Sequence, residues 1–342
     1  MKNATHMRIE IEEIPLAARR LLEGSGDSLK AGGAALRRIR PPMIATIARG
    51  SSDHAASFLK YAIELTAGIP VASIGPSVMS IYGRELHLDH CAAIAISQSG
   101  KSPDIVTMLQ SARRNGAMTL ALTNTPDSPL AAAAEHSIDL RAGAERSVAA
   151  TKSFVSSVVA GLMLVAEWQQ DAELIAALQR LPDDLARALV LDWTPLLAGL
   201  KGKDSLYVLG RGPALAIASE AALKFKETCG IHAEAYSAAE VLHGPARIVE
   251  NGFPILALAA RDRAEAGVAE IADRLAGQGA TAFATSGRVT RAAQLPFVES
   301  GHPITDALLL VVAFYAFVEQ LSRYRGFDPD RPPHLKKVTE TV

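Results

Sequence analysis

Three serines, a glutamine, a glycine and a lysine stand together at residues 97–102, between an apolar run at 92–96 and a helix-like run that begins at Pro103. The apolar run is typical of a buried strand. At a strand-to-helix turn, free N–H groups and the positive end of the helix dipole favour an anion. Gly100 permits a left-handed turn, and the serine hydroxyls add short donors. We therefore predict a phosphate site in residues 97–102, here named the serine loop.

The serine loop has neither the glycine spacing of a nucleotide-binding P-loop nor that of the dinucleotide fingerprint. A small phosphorylated ligand is therefore predicted rather than a nucleotide, and the alternative is ordinary turn and capping chemistry. A second loop favours the ligand. Gly50-Ser51-Ser52-Asp53-His54 also follows a strand-like run and opens a helix. Two such loops would converge at one edge of a parallel sheet.

A second group of reactive side chains falls on a predicted helix at residues 213–228. Glu220, Lys224 and Glu227 are spaced i, i+4 and i+7, which places them on one helix face. Such a cluster is usually solvated surface. His243 follows in a stretch with few helix signals, and a glutamate, a lysine and a histidine together form a possible acid–base set.

Composition limits the class of protein. The 342 residues are 49% hydrophobic and 21% charged, which is typical of a globular chain long enough for two domains. Lys plus Arg 35 against Asp plus Glu 36 leaves a net charge of −1, so neither nucleic acid nor a membrane is predicted as a partner. Cys91 and Cys229 are too few for a disulfide framework or a zinc site. No metal, no cofactor and a cytoplasmic location are predicted.

The elements that would position these residues alternate in type. Helices predicted in the first 40 residues, with breaks at Gly24-Ser25-Gly26 and Gly32-Gly33, are followed by short apolar runs between longer periodic ones. The predicted strands are 43–48, 92–96 and 118–122, and the predicted helices are 52–67 and 103–115. This order predicts a parallel, doubly wound sheet. The apolar run 307–318 is shorter than the roughly 20 residues that span a bilayer, so a buried helix is predicted there.

The pattern repeats at an offset of 162 residues, which carries Gly50 and Gly68 onto Gly212 and Gly230. The same offset carries the start of the serine loop onto residues 259–262, where no hydroxyl side chain stands. We therefore predict an α/β fold of two tandem doubly wound, flavodoxin-like subdomains with central parallel sheets. Only the first subdomain keeps the phosphate site.

Several stretches, in order and over nearly the whole chain, resemble the sugar isomerase (SIS) domain family, and within it the isomerase half of glucosamine-6-phosphate synthase. The matching stretches are 48–52, 97–100, 142–145, 148–152, 209–212, 220–236, 243–245 and 328–339. The residue pattern predicts a helical lead-in and connecting helices with a break at Pro182. The resemblance implies that these helices join two SIS subdomains and that a tail closes the active site. The corresponding boundaries are 1–42, 43–168, 169–200, 201–326 and 327–342.

The resemblance also implies residue roles. The phosphate and sugar ligands would be Ser52, Ser97, Gln98, Ser99 and Ser102, with Val148 and Thr151 as the sugar-pocket wall. Glu227 would move a proton between C1 and C2, and Lys224 would be its electrostatic partner. His243 would open the sugar ring of a neighbouring subunit, so a homodimer is expected. Lys337 would be the catalytic lysine of the mobile tail.

Two differences from the synthases shape the expected function. The SIS region starts at Met43 with no N-terminal cysteine nucleophile before it, so we expect no ammonia production from glutamine. Lys101 and Ala150 stand where the synthases usually have an acid and a serine. The expected enzyme is a deaminase that converts glucosamine 6-phosphate to fructose 6-phosphate and ammonia. The alternatives are a galactosamine-6-phosphate deaminase, a deglycase of a 6-phosphorylated fructosamine adduct, and a non-catalytic sugar-phosphate sensor.

Overall fold

The computed structural model describes residues 4–337, which form two compact units that interleave along the chain. The first unit contains residues 13–145, 152–182 and 336–337. The second unit contains residues 4–12, with helix α1 (His6–Glu12), together with 146–151 and 183–335. Each unit is built on one five-stranded parallel sheet, which confirms the predicted α/β class with two parallel sheets. The subdomain boundaries given above stay predictions.

The first unit carries a sheet in the order β2-β1-β3-β4-β5. Its strands are β1 (Ile44–Ile47), β2 (Val71–Ser73), β3 (Ala92–Ser97), β4 (Met118–Thr123) and β5 (His136–Asp139). Its helices are α2 (Ile14–Gly24), α3 (Gly26–Ile39), α4 (Ser51–Ala67), α5 (Ser77–Ser80), α6 (Pro103–Arg114), α7 (Pro129–Ala133) and α8 (Lys152–Gln169). Every residue of β1, β3 and β4 is buried, which explains their continuous apolar sequence.

The second unit repeats this topology, with the sheet order β10-β9-β8-β6-β7. Its strands are β6 (Ser205–Gly210), β7 (His232–Ser237), β8 (Pro254–Ala257), β9 (Thr281–Ala284) and β10 (Ala293–Gln294). Helix α9 (Ala172–Leu189) leads from the first unit into it, followed by α10 (Thr194–Gly199), α11 (Pro213–Cys229), α12 (Glu265–Gly277) and α13 (Pro303–Tyr324). Two short 3-10 helices, Glu240–His243 and Pro245–Ile248, follow β7.

The repeat predicted from glycine spacing is present in the backbone. Gly50 and Gly212 precede α4 and α11 with nearly the same angles, φ 57° and ψ −134° against φ 60° and ψ −138°. Gly68 and Gly230 end the two helices in the left-handed region, at φ 67° and 61°. Because a side chain would strain such backbone, glycine suits all four positions.

Two predicted helix breaks are wrong. Helix α3 passes through Gly32-Gly33, where the glycines allow close packing on α8: a Cβ at Gly33 would lie 2.8 Å from the backbone nitrogen of Trp168. Helix α9 passes through Pro182. A proline removes one helical hydrogen bond, yet the apolar residues of the flanking turns, such as Leu178, Leu181 and Leu185, are buried and hold the helix together.

The long apolar run forms a core helix, as predicted. Helix α13 packs against α11 and α1, and residues 304–319 are all buried. It is long and apolar enough to cross a bilayer, but 94% of its most apolar 18-residue stretch is buried inside the fold. Such burial is typical of the core helix of a folded domain.

Candidate active site

The serine loop lies where the strand order of the first sheet reverses. Strands β1 and β3 are hydrogen-bonded neighbours, and the chain leaves β1 toward one side of the sheet and β3 toward the other. Ser52 follows β1 in the first turn of α4, whereas Ser97 ends β3 and Ser102 precedes α6. Ligands of doubly wound folds bind at this edge. The structure thus brings Ser52 and the serine loop to one edge of the sheet.

An ion pair ties the two loops together. Arg49, between β1 and α4, donates from Nε to the carboxylate of Asp104, which is buried in the first turn of α6. The pair fixes the start of α4 relative to the start of α6. Sequence reasoning missed it, because residues 49 and 104 carry no spacing signal that links them.

The backbone of the serine loop requires its glycine. Gly100 has φ +62°, and a Cβ there would lie 2.1 Å from Oγ of Ser128. The Gly100 N–H donates to Oγ of Ser97 over 3.2 Å, and the Lys101 N–H donates to Oγ of Ser99 over 3.3 Å. Ser102 makes no side-chain capping bond at the start of α6. The loop is therefore a tight turn at a helix N-terminus, the geometry that favours an anion.

The equivalent position of the second sheet is filled by an arginine. After β8, Arg261 donates its guanidinium hydrogens to the backbone carbonyls of Ala259 and Thr285. The guanidinium also pairs with Glu265 at 3.2 Å and lies 3.9 Å from the ring centroid of Phe297. This arrangement replaces the hydroxyl cluster, so the two subdomains differ in chemistry as the sequence predicts.

Glu220, Lys224 and Glu227 of α11 form a largely buried triad in the second unit. Nζ of Lys224 lies 2.6 Å from Oε2 of Glu227 and 3.2 Å from Oε1 of Glu220. The hydroxyl of Tyr315, on α13, donates to Oε1 of Glu220 over 2.9 Å. The side chains of Lys224 and Glu220 are fully buried, whereas that of Glu227 is 21% exposed. Solvated surface, the usual alternative for such spacing, is therefore excluded for Lys224 and Glu220.

The triad keeps Lys224 charged. Burial by itself would lower the pKa of Lys224, but the carboxylates of Glu220 and Glu227 outweigh burial and raise it above the ordinary lysine value. The ammonium therefore stays protonated at neutral pH and cannot accept a proton. Two carboxylates share one cation, and Glu227 is the partly exposed member of the set.

Glu227 lines a cavity of about 490 Å³ at the end of α11. The other lining residues come from α11 and from the segment after α13 and are largely apolar, including Leu223, Phe327 and Leu335. The partly exposed Glu227 side chain therefore borders a cavity of small-molecule size and lies beside a fixed positive charge. A carboxylate in such a setting is suited to proton transfer.

Three further predicted residues, His243, Val148 and Thr151, belong to the second unit. His243 ends a 3-10 helix and is exposed, and no hydrogen bond or ion pair between described residues joins it to Glu227. Val148 is half-buried and Thr151 is buried. Both belong to the segment 146–151, which we name the pocket loop.

Lys337 makes an ion pair within the first unit. Its Nζ lies 2.8 Å from Oε2 of Glu145, whose carboxylate also accepts from the backbone and hydroxyl of Ser153 at 3.0 and 2.7 Å. Burial alone would raise the pKa of Glu145, but Lys337 and Ser153 outweigh it and lower the pKa below its ordinary value. Sequence reasoning missed Glu145, as it missed Tyr315. Residues 338–342 of the predicted tail lie outside the described residues.

The first unit carries an anion-suited turn at the switch point of its parallel sheet, and the second unit repeats this topology and carries the Glu-Lys-Glu triad. The duplicated parallel sheets place the chain in the class of doubly wound α/β proteins. The SIS domain model matches residues 39–167 and 199–287, and the chain belongs to the SIS domain family. This confirms the family assigned from the sequence motifs.

Individual relatives and solved structures show similarity over nearly the whole of this chain. The chain is 34% identical over 360 residues to glutamine–fructose-6-phosphate aminotransferase (isomerizing) of Symbiobacterium thermophilum, covering 98% of this chain and 58% of the relative. It is 56% identical to a crystal structure from Silicibacter pomeroyi DSS-3 provisionally named a phosphosugar isomerase, with a TM-score of 0.93 over 96% of this chain and 100% of the other. The C-terminal domain of the Francisella tularensis glucosamine–fructose-6-phosphate aminotransferase is 26% identical, with a TM-score of 0.86 over 97% and 99% of the two chains.

Proposed function

We propose that this chain is an aminosugar-phosphate deaminase of the phosphosugar isomerase type, which converts glucosamine 6-phosphate and water to fructose 6-phosphate and ammonia. The observation that carries the proposal is the triad. Glu227 alone of its three members is partly exposed and lines a cavity, with a buried ammonium 2.6 Å behind it. This is the arrangement required of a group that removes and returns a proton.

The serine loop is proposed to bind the phosphate. Its hydroxyls, its backbone and the N-terminus of α6 together suit a dianion. Ser52, Ser97, Gln98, Ser99 and Ser102 are the proposed phosphate and sugar ligands, with Val148 and Thr151 as the wall of the sugar pocket. Since the phosphate does not react, its binding energy serves to orient the sugar.

The proposed chemistry is a proton transfer followed by hydrolysis. His243, from a second copy of the chain, assists opening of the pyranose to the C1 aldehyde. Glu227 removes the C2 proton and delivers it to C1, while one proton passes from the amine nitrogen to O1, which leaves a hydroxymethyl group at C1 and an imine at C2. Water adds to the imine carbon, and ammonia leaves. Lys224 compensates the charge of Glu227 during these steps. Lys337 is the proposed catalytic lysine of the tail.

The two cysteines of these residues are not suited to glutamine chemistry. Cys91 and Cys229 are both buried, and burial raises the pKa of the Cys229 thiol to about 12. Neither is suited to act as a nucleophile on glutamine. The deaminase direction is therefore proposed for the chemistry of these residues by themselves. The chain spans 58% of the length of the Symbiobacterium relative. The aminotransferase activity in that relative's name belongs to that protein.

The test is to incubate the purified protein with glucosamine 6-phosphate and to measure ammonia and fructose 6-phosphate. Glu227→Gln is expected to lower the rate by at least about 100-fold, the lower end of general acid–base contributions. Glu270→Gln, an exposed glutamate of α12, is the matched control and should keep the wild-type rate. No ammonia from the wild type, or equal rates for Glu227→Gln and wild type, would contradict the proposal.

A panel of substrates separates the alternatives. Galactosamine 6-phosphate and a 6-phosphorylated fructosamine adduct are to be tested at the same concentration as glucosamine 6-phosphate. A higher kcat/KM for either would replace the proposed substrate. A sugar phosphate that binds and stays unchanged in an NMR time course would indicate a sensor.

A further inference from the structure

Helix α1 carries a buried acid that the proposed chemistry does not use. Glu10 is 5% exposed and lies on the same helix face as Met7 and Ile11, which are also buried. An ionised carboxylate is costly to bury unless it accepts hydrogen bonds. The partners of Glu10 therefore show what this short helix holds in place.

Glu10 accepts hydrogen bonds from the pocket loop. Its carboxylate accepts the backbone N–H groups of Arg146 and Ser147 and the hydroxyl of Ser147. Val148, a proposed sugar contact, is the next residue along the chain. Hydrogen bonds to a charged acceptor are stronger than neutral ones. Glu10 thus fixes the backbone that precedes the proposed wall of the sugar pocket.

The other end of α1 is held by the segment after α13. The carboxylate of Asp330 accepts the backbone N–H groups of His6 and Met7 at 2.7 and 2.8 Å, which caps the N-terminus of α1. Residues 327–335 of this segment contribute to the cavity that Glu227 lines. Helix α1 also contacts α13 directly, since Nε of Arg8 lies 3.3 Å from Oε2 of Glu319.

We propose that α1 is a strut that sets the pocket loop at one end and the cavity-lining segment 327–335 at the other, with Glu10 and Asp330 as positioning residues for sugar binding. The inference rests on the proposed function, in which Val148 and Thr151 contact the sugar. Loss of Glu10 is expected to weaken binding of the sugar part of the ligand and to leave phosphate binding at the serine loop unchanged.

The experiment compares two ligands by calorimetry. For Glu10→Gln, the Kd of glucosamine 6-phosphate is expected to rise by about tenfold, which corresponds to roughly one charge-assisted hydrogen bond. The Kd of inorganic phosphate is expected to stay at the wild-type value. Glu12→Gln, on the exposed side of the same helix, is the matched control and should leave both constants unchanged. Ser147→Ala should weaken sugar-phosphate binding in the same direction by less, and it carries the test if Glu10→Gln does not fold.

A double-mutant cycle tests the strut itself. Asp330→Asn should also raise the Kd of glucosamine 6-phosphate, and the effect of the double variant should be smaller than the product of the single effects, because both act through α1. The inference would be overturned if the two single effects on Kd multiplied in the double variant, or if Glu10→Gln left the Kd of glucosamine 6-phosphate unchanged. It would also be overturned if Glu10→Gln weakened binding of both ligands equally. A wild type that binds the sugar phosphate but releases no ammonia would refute the proposed function alone. A wild type that binds no sugar phosphate would refute both.

Discussion

At the residue scale, the buried charges of the candidate site are compensated by an opposite charge or by several donors. Lys224 lies between Glu220 and Glu227, and Glu145 contacts Lys337. A buried pair is weak evidence for stability, but removal of one partner leaves a charge with no compensation. Substitutions at the cations are therefore more informative than substitutions of exposed charges.

Lys224→Met is expected to lower the free energy of unfolding by about 3–5 kcal/mol, because Glu220 would then be a fully buried carboxylate without its cation. The measurement is urea denaturation at pH 7. Lys226→Met, two positions along the same helix and exposed, should change the free energy by no more than about 0.5 kcal/mol. Similar stabilities for the two variants would show that the triad is not coupled as its geometry indicates.

Lys337→Met is expected to change how stability depends on pH. In the wild type the pKa of Glu145 is lowered, so its ionised form stabilises the fold above its unfolded-state pKa of about 4.3, and this stabilisation is lost as the pH falls through the folded-state pKa. Without Lys337 its charge and hydrogen bond no longer lower the pKa of Glu145, so this pKa rises and the stabilisation above about pH 4.3 is reduced.

The difference in Tm between wild type and Lys337→Met should therefore be large at pH 7 and narrow toward pH 4. Lys336→Met, whose lysine is exposed, is the matched control and should follow the wild type at every pH. A difference in Tm that is constant with pH would disprove the electrostatic role of this pair.

At the element scale, close approaches decide which residues are tolerated. The α3–α8 contact depends on Gly32 and Gly33, and the serine loop depends on Gly100. Neither helix propensity nor turn statistics reports these distances, since both describe a segment in isolation. A glycine inside a helical sequence pattern is usually interpreted as a helix break. In α3, Gly32 and Gly33 instead lie at a packing contact with α8.

Gly100→Ala is expected to abolish binding of inorganic phosphate and of glucosamine 6-phosphate together. The added Cβ would overlap Ser128 and would also strain a residue with φ +62°. Binding by calorimetry is the measurement. The control is Gly267→Ala in α12, where no heavy atom outside the adjoining backbone of the same helix lies within 4 Å of the added carbon and binding should persist. Retained phosphate affinity in Gly100→Ala would show that the serine loop is not the anion site.

At the scale of the whole molecule, the proposed function requires His243 from a second copy. Glu227→Gln and His243→Ala are each expected to be inactive, and mixed dimers of the two should regain one working site. For a two-fold dimer with random exchange, half of the dimers are mixed, so about a quarter of the wild-type rate of ammonia release is expected. No recovery after exchange, with mixed dimers verified by mass spectrometry, would refute donation of His243 across an interface.

The sequence alone determined the parts of this protein that repeat or alternate locally. Apolar runs of about five residues between periodic segments gave the parallel sheets, and glycines 18 positions apart marked the equivalent helices α4 and α11. The serine loop and the spacing of Glu220, Lys224 and Glu227 were also visible, because a turn and a helix face are short-range features.

Only the tertiary structure decided which of these groups are buried and what compensates them. Tyr315 lies 95 residues from Glu220, Glu145 lies 192 residues from Lys337, and Glu10 lies 137 residues from Ser147. Local pattern carries no information about such partners. The physical reason is that desolvation and hydrogen bonding in the interior depend on which surfaces meet after folding, and these terms separate a solvated charge cluster from a buried triad.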